Sequence, residues 1–183
     1  PSLNVNFAYL GIIKFLKAEE DHGTTRTLVL QPPTQDTFVR ESLPNSTAGD
    51  STAMSVRQLD PNAQRHGYIQ FDLSPIPAGI DIVSAILEMY VSSRTGDPTV
   101  YSVDIHRVVS SWNEATITWN NASTWVSTVM GSTGEGTKGT WQDWTLSTAE
   151  FVQMQSSNYG MMLKYNLENA DPDIDAHFYV TKE

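Results

Sequence analysis

Three groups of side chains in this sequence have the type and spacing to do chemistry. Asp171, Asp173 and Asp175, preceded by Glu168 and Asn169, place carboxylate oxygens at alternate positions. A hard cation such as Ca²⁺ takes about six to eight oxygen ligands, and an Asp-x-Asp-x-Asp turn can offer three of them. The segment has neither the Gly nor the closing Glu of an EF-hand loop, so a solvated acidic loop is the competing reading. Ca²⁺ is the only cofactor the sequence admits, and none is required. Five tryptophans, Trp112, Trp119, Trp125, Trp141 and Trp144, form the second group. An indole face can stack on a pyranose ring while nearby polar groups read its hydroxyls. Trp112, Trp119 and Trp144 read as core residues. Trp125 and Trp141 flank the glycine-bearing stretch Gly131–Gly139 and are the candidates for glycan stacking. The third group, His22, His66, His106 and His177, is scattered, with no His-Glu-x-x-His pair and no Gly-x-Ser-x-Gly elbow beside it. His106 reads as a polar residue on a solvent-facing strand position. Without a nucleophile-base pair, a carboxylate pair or a metal cluster at a convincing spacing, the expectation is a protein that is not an enzyme. Asn45-Ser46-Thr47 and Asn121-Ala122-Ser123 fit the glycosylation pattern.

Composition narrows the partners. The 183 residues carry 21 acidic and 11 basic side chains, a formal net charge of −10, and no window concentrates Lys and Arg. Neither a nucleic-acid footprint nor contact with a bare anionic membrane is expected. No stretch approaches the roughly 20 apolar residues of a membrane-spanning helix. Ser and Thr number 18 and 19 while charged residues are 17%, so polarity comes mainly from hydroxyls, as in many extracellular β-proteins. The absence of Cys removes disulfides, thiolate metal sites and cysteine nucleophiles together.

The elements that must position these groups are strands. Period-2 alternation recurs, with Gly, Pro, Asn and Asp punctuating it about every ten residues. Ile69, Phe71 and Leu73 alternate with Tyr68, Gln70 and Asp72; Leu87, Met89 and Val91 with Ile86, Glu88 and Tyr90; Tyr101, Val103 and Ile105 with Ser102, Asp104 and His106. Further runs at Thr27–Leu30, Thr37–Arg40, Met54–Gln58, Ala115–Trp119, Thr140–Leu146, Tyr159–Tyr165 and Ala176–Val180 predict about ten strands in all. One short helix is predicted over Thr148–Gln155. The stretch Gly131–Gly139 reads as a surface loop. The expected fold is an all-β, jelly-roll-type sandwich over residues 24–183. It follows an N-terminal strand over residues 1–10, in which Leu3, Val5, Phe7 and Tyr9 alternate with small or polar residues, and a connector over residues 11–23.

From about Thr27 onward several motifs run in order: Asp36-Thr37-Phe38-Val39, the strand and turn Tyr68 to Gly79, Ile82 to Val91, Val103 to Val108, Trp112-Asn113-Glu114 with Thr116 to Asn121, and Asn158 to Lys164. Together they make the chain similar to the DNRLRE-type, disaggregatase-related β-sandwich repeat family of prokaryotic surface proteins, which are carbohydrate-binding-module-like. In that family the strand resembling Ala176–Val180 is followed by one more strand. Here the segment resembling it is Pro1–Phe7, displaced to the N-terminus.

That displacement implies an open groove beside Phe178 and Val180, filled by Leu3, Val5, Phe7 and Tyr9 from the same chain, from a neighbouring copy, or from the next unit of a tandem array. Burying these four side chains is worth roughly 6–12 kcal/mol gross. Insertion into a neighbour is heterologous and generates fibres. The expected function is therefore a non-enzymatic extracellular subunit that joins copies of itself head to tail into a surface filament. The alternative is a polysaccharide-binding module of a larger secreted or cell-surface protein.

Overall fold

The computed structural model describes residues 12–16, 27–58, 63–77, 79–95, 101–134, 136–167 and 175–180. Leu3, Val5, Phe7, Tyr9, Asp171 and Asp173 lie outside them. The strands are β1 (Ile12–Leu16), β2 (Thr27–Leu30), β3 (Gln35–Arg40), β4 (Ala53–Gln58), β5 (Arg65–Gln70), β6 (Ser84–Thr95), β7 (Ser102–Val108), β8 (Trp125–Gly134), β9 (Trp141–Leu146), β10 (Met161–Tyr165) and β11 (Asp175–Val180). One α-helix, α1 (Thr148–Ser156), follows β9.

These strands form one hydrogen-bonded path, β2-β1-β6-β11-β4-β5-β10-β7-β8, with β3 added on β5 and β9 on β6. The path folds over into a sandwich. One layer is β3-β5-β10-β7-β8; the other gathers β9, β1, β2, β11 and β4 around the long β6. Between them lies a single core of alternating inward residues, among them Leu87, Met89, Trp144 and Tyr179 from one layer and Ile69, Ile105, Met161 and Leu163 from the other. Close packing of such a core is what fixes the facing layers. A second, smaller cluster, Val39, Tyr68, Val108, Ile117 and Met162, lies on the other face of the β3-β5-β10-β7-β8 layer.

Helix α1 starts where the Ser147 side chain accepts from the Glu150 amide at 3.4 Å, and Glu150 sits favourably in the positive first turn. Phe151 and Met154 bury its inner side. Glu150 also receives Arg107 Nε at 3.0 Å, tying the helix to β7. Gly160 follows with φ of +78°, and a Cβ there would run into the Ile69 carbonyl, so both the backbone conformation and the close approach require glycine.

Several expectations need correction. Residues 12–16, read as connector, form β1, paired to β2 on one side and β6 on the other. Ile13 stands opposite Leu87 and Leu30, and Phe15 opposite Ala85 and Leu28. Ile12 and Leu16 are apolar as well, which hides the alternation. The groove expected beside Phe178 and Val180 is not open: β11 pairs along its length with β4 and also with β6, satisfying the backbone groups on both sides. Residues 131–134, read as loop, complete β8, and the chain turns only after them. Ala115–Trp119 forms no strand. There the Asn113 side chain accepts from the Ala115 amide at 2.9 Å, and Asn113 O from Ile117 N, closing a turn instead.

Candidate functional site

The outer face of the β3-β5-β10-β7-β8 layer carries a row of aromatic and imidazole rings. On β5, His66 and Tyr68 point away from the main core because Gly67 and Ile69, which alternate with them, point into it. On β8, Trp125 stands opposite Val108 of β7. Over this face folds the loop 109–124. Trp112 Nε1 donates to the Tyr159 carbonyl at 2.8 Å, and the Glu114 carboxylate accepts the Asp36 amide at 3.0 Å. The Asn120 amide bonds Pro44 O, and Ser123 Oγ donates to Ser111 O at 3.1 Å. Tyr68 Oη donates to the Ser123 carbonyl at 3.2 Å, pinning loop to strand. Burial holds the Tyr68 phenol well above its ordinary pKa, so it remains a donor.

The fold of this loop brings Trp119 beside His66, with ring centroids 4.8 Å apart, while Trp125 packs on His106 at 4.6 Å. Between the two indoles lies a shallow cleft of about 250 Å³ lined by His66, Tyr68, Trp119, Ser123, Thr124 and Trp125. Both tryptophans pack against the smaller cluster and are only partly buried. His106, expected to face solvent, is buried instead. Its Nδ1 lies 3.0 Å from Val126 O and 3.2 Å from Thr128 O, where the β7–β8 register slips. Burial lowers its pKa, so at neutral pH it is the uncharged support of Trp125. The lining provides two indoles, a phenol, an imidazole, two hydroxyls and the Ala122 methyl, and no carboxylate. Such a set can stack on a ring and exchange hydrogen bonds with hydroxyls.

A model of carbohydrate-binding module family 96 matches residues 27–177. The chain belongs to that family. A comparison with curated proteins gives no match. The matched region begins at β2 and takes in every residue of the aromatic cleft. Family 96 is a family of binding modules, which accords with the lining chemistry, and no described helix is long and apolar enough to cross a membrane.

Of the two tryptophans singled out from sequence, Trp125 lies in the cleft. Trp141 lies on β9 in the other layer, 40% exposed and set edge-on against Tyr90 at 5.7 Å, so the two do not form one platform. Trp119, read as core, is the partner Trp125 has. The signal for it was local: Trp119 is followed by Asn120-Asn121, and Asn121 Oδ1 accepts from the Thr118 amide at 2.6 Å, which marks a polar turn where a strand was expected. That bond, and the donation of Asn121 Nδ2 to Thr116 O at 3.1 Å, commit the Asn121 amide to the turn. Asn45 is exposed, its Oδ1 accepting from Asn120 Nδ2 at 2.8 Å. Asp175 opens β11 opposite Gln58.

Proposed function

We propose that this family 96 module is an extracellular polysaccharide-binding domain that seats a sugar ring between Trp119 and Trp125. The observation that carries the reading is the cleft itself: two partly exposed indoles, each backed by an imidazole, flank Tyr68, Ser123 and Thr124. In affinity electrophoresis against a panel of soluble polysaccharides, the unmodified chain should be retarded by at least one. Trp119→Ala and Trp125→Ala should each weaken that retardation about tenfold, equivalent to ~1.4 kcal/mol of stacking. Trp141→Ala, on the other layer, should leave it unchanged. Retardation preserved in both cleft variants, or lost only in the Trp141 variant, would place the ligand elsewhere.

A second reading, linkage of copies by strand complementation, is favoured by one feature of the sheet. β1 precedes the matched region, yet it occupies an interior lane between β2 and β6. Ile12 stands opposite Glu88, and Val180 of β11 stands opposite Tyr90, both on the side of β6 away from β9. β1 and β11 therefore run end to end in one lane, and a strand from outside the family unit completes the layer. An N-terminal segment that can supply this lane to its own domain can supply it to a neighbour's. Electron microscopy of the purified chain at high concentration should show fibres if copies exchange it; particles of single-domain size at every concentration would sink this reading.

A further inference from the structure

At the seam where β4 meets β5, three arginines from three strands stand side by side. Arg65 of β5 is directly opposite Arg40 of β3 in one ladder and directly opposite Arg57 of β4 in the other. Like charges facing each other across strands destabilise a sheet. The arrangement is the more unexpected in a chain whose acidic residues outnumber its basic ones by 21 to 11. None of the three has a carboxylate partner among the described residues. The contacts they do make are neutral: Arg65 Nη1 donates to Ser55 Oγ at 3.2 Å, and Arg40 Nη2 reaches Thr47 O at 3.5 Å. The guanidinium carbons of Arg40 and Arg65 both lie 5.6 Å from the centroid of the Phe38 ring, which holds them in place. The Nε atoms of all three are buried and have no hydrogen-bond partner. The cost is visible at Arg65, whose pKa is lowered first by burial and then by the neighbouring charges of Arg57 and Arg40.

We propose that Arg40, Arg57 and Arg65 form a site for a multivalent oxyanion of the sulfate or carboxylate type, separate from the aromatic cleft. Guanidinium groups present forked pairs of N–H donors that match such oxygens, and an anion among three of them replaces mutual repulsion by charge-assisted hydrogen bonds. Occupancy would lock β3, β4 and β5 together where, among the described residues, β4 and β5 are paired only between Arg57 and Arg65. The same chemistry has two sources, a free ion and a carboxylate borne on an acidic peptide.

The test is thermal unfolding of the full chain in potassium chloride, with potassium sulfate or tetraglutamate titrated in at constant ionic strength. The midpoint should climb and then saturate, by roughly 5–10 °C at a hundred times the dissociation constant. Saturation with sulfate assigns a free-ion site; saturation only with tetraglutamate, or at much lower concentration of it, assigns a chain-borne carboxylate. In Arg57→Gln the saturable rise should vanish, and its midpoint in chloride should equal or exceed that of the unmodified chain, because one repelling charge is gone. Sulfate also raises midpoints generally, without saturation, by exclusion from the surface. A rise that never saturates, or one of equal size in the unmodified chain and in Arg57→Gln, would overturn the proposal.

Discussion

Trp144→Ala is expected to cost about 4–5 kcal/mol, at the upper end of large-to-small changes in cores. The indole is fully buried, and its Nε1 donates to the Val103 carbonyl at 2.9 Å, from β9 across to β7 in the facing layer. Its ring also meets Tyr179 edge-on at 5.7 Å, and Tyr179 Oη in turn donates to Gln142 Oε1 at 3.0 Å. Truncation therefore removes an aromatic volume, leaves a buried carbonyl without its donor, and loosens a neighbour that holds a second polar group. Against a net stability of ~5–15 kcal/mol for a domain, the variant should sit near its unfolding midpoint in water or unfold in mild denaturant. Trp144→Phe keeps most of the volume and should cost about half as much. Urea unfolding of the three forms checks this: the midpoint should fall in the order stated with an unchanged slope. An unfolding free energy for Trp144→Ala within about 1 kcal/mol of the parent would mean that the two layers are not held together there.

Stability should also fall as the solution is acidified from about pH 6.5 to pH 4, through a group that touches no ligand. His177 on β11 is completely buried, with Nδ1 2.6 Å from the Tyr165 hydroxyl and its ring stacked at 14° on Tyr179. Its pKa is lowered to about 4, by burial first, with the Gly136 backbone pulling it up and the Arg94 charge pushing it down. In the unfolded chain the same imidazole titrates near 6.5. Below that pH the unfolded state takes up a proton that the native state refuses. The stabilisation is present in full above about 6.5, is lost progressively, and is gone by about 4, where both states are protonated. The difference amounts to ~3 kcal/mol over the window, with a slope of at most ~1.4 kcal/mol per pH unit. His106, also lowered by burial, acts in the same direction. Chemical denaturation at steps between pH 7 and pH 4 should show a shallower decline in His177→Gln than in the parent. Parallel curves for the two would show that His177 takes up its proton equally in the folded and unfolded chains, and would overturn the lowered pKa.

The strands whose apolar residues alternate cleanly could be read from sequence. β9 shows Gln142, Trp144 and Leu146 buried between exposed Trp141, Asp143 and Thr145, and the helix predicted over Thr148–Gln155 is α1, extended by one residue to Ser156. β8 could not be read because its register against β7 slips twice around His106, which breaks the period over Trp125 to Met130. β1 was hidden by apolar residues on both parities. The aromatic cleft is a tertiary event: His66 and Trp125 were each visible as ring-bearing residues, but only the turn at Asn113 and the Tyr68–Ser123 bond bring Trp119 beside His66 and across the cleft from Trp125. The three arginines lie 17 and 8 residues apart in the chain, and only strand pairing makes them neighbours.

The many bonds that fasten the 109–124 loop have a calorimetric meaning. Trp112, Glu114, Asn120 and Ser123 each hold it through a separate hydrogen bond, and Tyr68 holds it from beneath. The ordering entropy of the loop is therefore spent during folding, before any sugar arrives. A ring that settles between Trp119 and Trp125 meets walls already in position. Its binding should show little penalty from protein immobilisation, and the unfavourable entropy that remains should belong to the glycan's own linkages.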